Sequence, residues 1–135
     1  MESYILVDSV QKSSGVSNVY SYKLKKILKG VSEVELLSAA FPKQTSCTHV
    51  ILDINEFRSP INADLNFAVI NNFVDINSNV AYTKNSFYDI CTSFDNPFDL
   101  NTLNVTWRDP TGNTIPMGDH SFLLKVSHKI GRAHV

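Results

Sequence analysis

Apolar and polar residues alternate with a period of two along much of the chain. Over residues 19–25, Tyr20, Tyr22 and Leu24 fall on one side and Ser21, Lys23 and Lys25 on the other, the pattern of a strand with one solvated face. Leu103, Val105 and Trp107 alternate in the same way with Thr102, Asn104, Thr106 and Arg108. Phe122, Leu124 and Val126 alternate with Ser121, Lys125 and Ser127, although Leu123 breaks the polar side. Val50, Leu52 and Ile54 alternate with His49, Ile51 and Asp53 in a further strand that ends at Asn55-Glu56. Residues 2–9 are rich in β-formers and are followed by a polar stretch, 11–15, that reads as a loop.

The segment 31–41 fits two periods. Val34, Leu36, Ser38 and Ala40 alternate as a strand would, whereas Val31, Val34, Leu37 and Phe41 form a helical stripe. A strand is favoured because Gly30 precedes it, Pro42 ends it and its neighbours are extended. Read so, it is apolar on both sides, with Leu37, Ala39 and Phe41 opposite Val34, Leu36 and Ala40. Residues 67–74 are apolar but interrupted by Asn71-Asn72, which suits a hairpin or bulge. Residues 75–101, rich in asparagine among single apolar residues, suit short strands joined by long loops. Asp109-Pro110-Thr111-Gly112-Asn113 has proline at the second turn position and glycine soon after, the composition of a tight turn. About eight short strands at turn-marked spacing predict an all-β fold, an antiparallel sandwich or barrel.

A length of 135 residues bounds the chain to one core. With 43% hydrophobic and 19% charged residues, it is apolar enough to fold and too weakly charged to read as disordered. Twelve basic and thirteen acidic residues give a formal net charge of −1, no electrostatic footprint for direct nucleic-acid binding or for anionic lipid. Apolar runs are too short for a membrane span, and residues 2–9 lack the basic start and small-residue cleavage site of a signal peptide. Cys47 and Cys91 allow at most one disulfide, and reduced thiols are expected. The last six residues change character after Lys129. Their codons, read as ATC GGA AGA GCA CAC GTC, resemble the start of a short-read sequencing adapter, as in a gene assembled from environmental reads. The domain is therefore expected to be residues 1–129, with 130–135 a non-native tail and no functional weight on Arg132 or His134.

The search for chemistry is mostly negative. The sequence has no phosphate-binding glycine loop, no His-Glu-x-x-His, no Cys-x-x-Cys and no Gly-x-Ser-x-Gly, so no catalytic, cofactor-binding or metal residues are assigned and no cofactor is expected. Cys47-Thr48-His49 puts a thiol and an imidazole on one side of a strand, but without paired zinc ligands or an orienting group for a nucleophile. Asp119 and His120 are adjacent and would point to opposite faces of a strand, so a turn role for Asp119 is expected. Asn104-Val105-Thr106 is a glycosylation sequon without a secretory context. Lys23, Lys25, Lys26 and Lys29 read as a solvated face.

The order of segments carries more than any single motif. Tyr4-Ile5-Leu6-Val7-Asp8-Ser9 opens the chain, followed by a Ser/Gly loop, Tyr20-Ser21-Tyr22-Lys23-Leu24, and the run from Leu28-Lys29-Gly30 to Ala40-Phe41-Pro42. Phe98-Asp99-Leu100, the Asp109-to-Gly112 turn and Gly118-Asp119-His120-Ser121-Phe122 stand near the end. This succession, over residues 4–126, resembles the small single-jelly-roll capsid proteins, penton-like or minor, of large double-stranded DNA viruses. It departs from their pattern at Lys43-Gln44-Thr45-Ser46-Cys47 and at Val10-Gln11-Lys12. The resemblance implies a jelly-roll-like β-sandwich and a structural role, not an enzyme. It implies a place in the virion after synthesis in host cytoplasm, and a homo-oligomer, pentamer or trimer, in contact with other capsid proteins. Phe41, Leu37 and Ala39 are then the candidate assembly contact, since one face of a doubly apolar strand needs a cover. The alternative is a carbohydrate- or ligand-binding sandwich of fibre or lectin type, with Trp107, Tyr82 and Tyr88 as candidate stacking residues whose bland role is packing.

Overall fold

A computed structural model describes residues 1–44, 47–58, 67–72, 79–83 and 90–129. Tyr88 and the tail 130–135 lie outside the described residues. The chain is all-β: β1 (Glu2–Asp8), β2 (Ser14–Val16), β3 (Val19–Pro42), β4 (His49–Ile54), β5 (Ala68–Asn71), β6 (Asn79–Thr83), β7 (Ile90–Arg108) and β8 (Ser121–Ser127). Two single 3-10 turns, Ser9–Gln11 and Asn55–Phe57, complete the described elements. Part of the stretch expected to be a polar loop thus forms β2, which returns into β3 through a two-residue hairpin at Ser17-Asn18.

Every pairing among the described residues is antiparallel, in the order β1-β8-β3-β7-β4-β5, with β2 and β6 also paired to β3. β3 and β7 are long enough to serve two layers. The first part of β3 pairs with the end of β7 (Val19↔Thr106 to Lys23↔Thr102), which continues through β4 to β5. The second part of β3 lies between β8 and the start of β7 (Val34↔Val126 and Val34↔Thr92), with β1 beyond β8 and β6 alongside Ser38–Pro42. The sheet curls so that these halves face each other. Phe41, in one layer, packs against Trp107 in the other with ring centroids 5.2 Å apart, and Trp107 meets Phe122 at 6.4 Å. Interleaving strands from opposite ends of the chain in both layers makes the fold a jelly-roll-like sandwich.

Irregularities between the two long strands make the bend possible. Their register shifts between Lys23 and Leu28, between Leu28 and Val31, and again before Glu33. Each shift inserts unpaired residues on one strand and adds local bend. Gly30 sits there with φ +60°, its N–H donating to Asp99 Oδ1 at 3.1 Å. A Cβ at Gly30 would stand 2.8 Å from the Lys129 side chain.

A further shift between Leu36 and Ser38 in the β3–β8 ladder changes which residues face inward. Val34, Leu36, Ala39 and Phe41 are all buried, whereas Ala40 is exposed and Leu37 half-buried. The expected opposition of two apolar faces is therefore corrected: the extra residue flips the alternation, so that Val34 and Leu36 from one set and Ala39 and Phe41 from the other feed one core. The expectation for residues 75–101 also changes, because β7 begins at Ile90, well before the amphipathic stretch that announces it. Pro97 is tolerated inside β7 because it lies in the shifted stretch and is exposed. The turn after β7 forms as expected: Asp109 Oδ1 accepts from Thr111 N–H and Asn113 N–H, each at 2.9 Å, and Gly112 takes φ +93°.

Candidate functional site

The alternation of β8 continues beyond its ends and carries both flanking histidines inward. His120 is 5% exposed and forms a hub between layers. Its Nδ1 lies 3.0 Å from Gly118 O, and a carbonyl can only accept, so this nitrogen holds the proton. Nε2 is left as an acceptor for Trp107 Nε1–H at 3.0 Å and the Tyr20 hydroxyl at 2.7 Å. The His120 backbone N–H donates to Ser9 Oγ at 2.9 Å, Ser9 N–H returns to His120 O at 3.0 Å, and Ser9 Oγ donates to Asp119 Oδ1 at 3.3 Å. The expected turn role for Asp119 is replaced by this reach to Ser9. Burial pushes the His120 pKa down, against the Gly118 carbonyl and the charges of Asp119 and Asp8, with Lys12 adding to the fall. Burial, then the charges of Asp8 and Tyr22, push the Tyr20 phenol far up. A neutral imidazole flanked by a phenol that keeps its proton joins β3, β7, β8 and the end of β1 into one polar knot.

A second buried group is Asp53, 2% exposed on the face of β4 opposite Leu52 and Ile54. Arg58 grips it with two donors, Nε at 3.0 Å and Nη2, and Arg108 Nε reaches Oδ2 at 3.1 Å. Burial alone would raise this carboxyl, but the hydrogen bonds from Arg58 and Arg108 outweigh it and hold the pKa below the ordinary value. Asn72 does comparable work: its side chain bonds Gln44 and Cys47 main-chain groups at 2.6–3.2 Å, fixing the strand end where a hairpin or bulge was expected.

The expected site residues are dispersed. Phe41 and Ala39 are covered by their own chain, at 2% and 4% exposure, so of the assembly trio only Leu37 retains accessible surface. Trp107 is fully buried with its indole N–H committed to His120, and Tyr82 is also buried, which places both in the packing role and offers no open ring face to a sugar. His49 stays partly exposed with Nδ1 3.0 Å from Thr48 Oγ1, and no disulfide joins Cys47 to Cys91. Among the described residues, no group of three His, Cys, Asp or Glu side chains is placed to hold a metal ion, and no helix is long and apolar enough to cross a membrane. Lys23, Lys25 and Lys26 are exposed, as expected of a solvated face, while Lys29 pairs with Asp99 at 3.3 Å.

The exposed apolar surface lies elsewhere. Tyr4 and Leu6, on the outer side of β1, are 62% and 60% exposed. Beside them a groove of about 650 Å³ runs between β1 and the first part of β3, lined by Ile5, Tyr22, Leu24, Leu28 and the two lysines Lys25 and Lys26. The hub and the groove both escaped the sequence reading. Two-residue steps from Phe122 back to His120 signal the first, but nothing local signals the second, which needs strands from two layers. No protein-family model matches the chain, and no curated protein is significantly similar to it.

Proposed function

We propose that the protein is a structural subunit of a virus particle, a penton-like or minor capsid protein acting through contacts with copies of itself and with other capsid proteins. The observation that carries this reading is the jelly-roll-like strand order, built from the same segments whose succession resembles single-jelly-roll capsid proteins. The polar groups inside it tie strands together, as a load-sharing subunit requires. Its assembly surface moves from Phe41 to the outer side of β1, where Tyr4 and Leu6 stand exposed on a seven-pair ladder with β8. A specific contact there would bury on the order of 1,000 Å². Sedimentation at micromolar concentration, alone and with the cognate major capsid protein, tests the reading. A ring or trimer that Tyr4→Ser with Leu6→Ser dissociates is expected. A monomer under both conditions that binds glycans overturns it in favour of the carbohydrate-binding alternative, against which the burial of Trp107 and Tyr82 already weighs.

A further inference from the structure

Among the described residues the sandwich is open along one side, and hydrogen bonds at the two ends of β1 fix what it presents there. Met1 O accepts from His128 N–H at 2.9 Å, and Ser9 N–H donates to His120 O at 3.0 Å. Odd-numbered residues of β1 therefore turn their peptide groups toward β8, and Glu2, Tyr4, Leu6 and Asp8 turn theirs to the free edge. At that edge the Tyr22 hydroxyl donates to Leu6 O at 3.2 Å, the one described bond across the opening from β3 to β1. The facing edge of β3 has a shorter gap. Its ladder with β2 stops at Ser21, Lys23 N–H donates to Ser13 Oγ, and among the described residues the next main-chain partner on this side is Lys129, whose N–H donates to Lys29 O at 2.9 Å just before β8 takes over at Glu33.

The gap between these edges is the 650 Å³ groove. It is lined by buried Leu24 and Leu28 and partly buried Ile5, so a chain lying in it meets apolar side chains as well as unpaired peptide groups. β1 presents about 20 Å of edge at roughly 3.3 Å per residue, enough to template a strand of average length. It has no proline and no bulge along a continuous seven-residue register, and its charged residues, Glu2 and Asp8, stand only at its two ends. Glu2 also lines the groove, but its carboxylate is paired with Lys125 at 3.6 Å, whereas on the β3 side Lys25 and Lys26 are exposed and have no ion-pair partner among the described residues. A second copy's β1 is a poor occupant, because antiparallel self-pairing sets Glu2 against Asp8 of the other copy, like charge against like.

We propose that the groove between β1 and β3 binds an extended segment of a partner polypeptide, in which apolar residues alternate with aspartate or glutamate, as a strand added to the free edge of β1. Main-chain bonds to Tyr4 and Leu6, the latter displacing the Tyr22 hydroxyl from Leu6 O, supply register, the apolar lining supplies affinity, and Lys25 and Lys26 select acidic sequence. This site is independent of the capsid reading, since an edge can take a strand whatever the outer face of β1 does.

The test uses the full chain and a fluorescein-labelled peptide, acetyl-Ser-Val-Glu-Leu-Asp-Val-Glu-Ser-amide, by fluorescence anisotropy with amide NMR shifts. Saturable binding is expected, with the Tyr4 and Leu6 amides among those most shifted. Replacing the three acidic residues by lysine should weaken binding by about tenfold or more, and N-methylating alternate peptide amides should abolish it. In Lys25→Glu with Lys26→Glu, exposed changes that leave the melting curve in place, the order of the acidic and lysine peptides should reverse. No saturation by about 1 mM peptide, equal binding of the lysine or N-methylated peptide, unmoved Tyr4 and Leu6 amides, or an unreversed order in the double variant overturns the proposal. None of these outcomes bears on the sedimentation result, so the two readings fail separately.

Discussion

Acidification should loosen this fold through one side chain. The folded-state pKa of His120 is depressed by burial, whereas in the unfolded chain an imidazole titrates near about 6.5. Above that value both states are neutral and the hub contributes in full. As pH falls below it, the unfolded chain takes up a proton that the folded chain refuses, so stability is lost at up to about 1.4 kcal/mol per pH unit until the folded imidazole itself titrates. Protonating Nε2 in the fold would set its N–H against Trp107 Nε1–H, which can only donate, and that clash is part of what keeps the folded imidazole neutral. The Asp53 carboxyl is depressed in the folded state, so its contribution is present above the unfolded carboxylate value near about 4 and is lost only as pH falls through that range. The two windows are separate. Urea unfolding at pH steps between about 8 and 5, followed by the fluorescence of Trp107, the single tryptophan, whose ring stands edge-on to His120 at 5.0 Å, measures the slope. His120→Gln keeps an acceptor for Trp107 without a titrating group and should flatten the curve between about pH 7 and 5.5. Equal slopes in the two proteins refute the reasoning.

Other perturbations separate the layers of the argument. Trp107→Ala should cost about 3–5 kcal/mol in denaturant unfolding, while Thr106→Ala on the opposite face should cost under about 1 kcal/mol; similar midpoints would mean the faces of β7 are misassigned. Asp53→Asn keeps the shape but removes the charge that holds Arg58 and Arg108, and should lower stability by about 1–3 kcal/mol at neutral pH, with a smaller loss in acid, where the wild-type carboxyl is itself neutralised. Gly30→Ala forces a side chain into the left-handed region and against Lys129, and a loss of about 1–2 kcal/mol is expected in a thermal melt; an unchanged melt would show that the bend does not need that backbone.

The strands with one solvated face were the legible ones. Around Tyr22, Val105 and Leu124 the period-two pattern has a single solution, because burying a lysine or asparagine on the wrong face costs more than any local propensity. The pattern became unreliable where it was apolar throughout. Between Val34 and Phe41 every register buries something, so composition does not reveal that an extra residue near Leu37 swaps the faces. The same applies to residues 90–98, where Pro97 and Asn96 argue for a loop locally, yet pairing with β3 draws the stretch into a strand across three register shifts. Tertiary pairing decides such segments, and single-sequence periodicity does not contain it.

The candidate sites divide along the same line. His120 was within reach of the sequence because it sits two residues before Phe122 on an inward parity, and a buried histidine must find partners for both ring nitrogens. What the sequence lacked was the identity of those partners, since Tyr20, Trp107 and Ser9 are brought together only when β3, β7 and the end of β1 converge. The edge groove is more remote still. It is made from what two strands do not pair with, and an unpaired edge leaves no trace in alternation: Tyr4 and Leu6 read as ordinary strand residues until β8 takes one side of β1 and nothing described takes the other. Leu6 and Tyr22, which meet across the groove, are 16 positions apart in the chain, so the docking surface is a property of topology, carried by residues that are individually unremarked. A sandwich whose described buried groups, His120, Asp53 and Asn72, are committed to holding strands has its recognition chemistry left for edges and outer faces, and β1 supplies both.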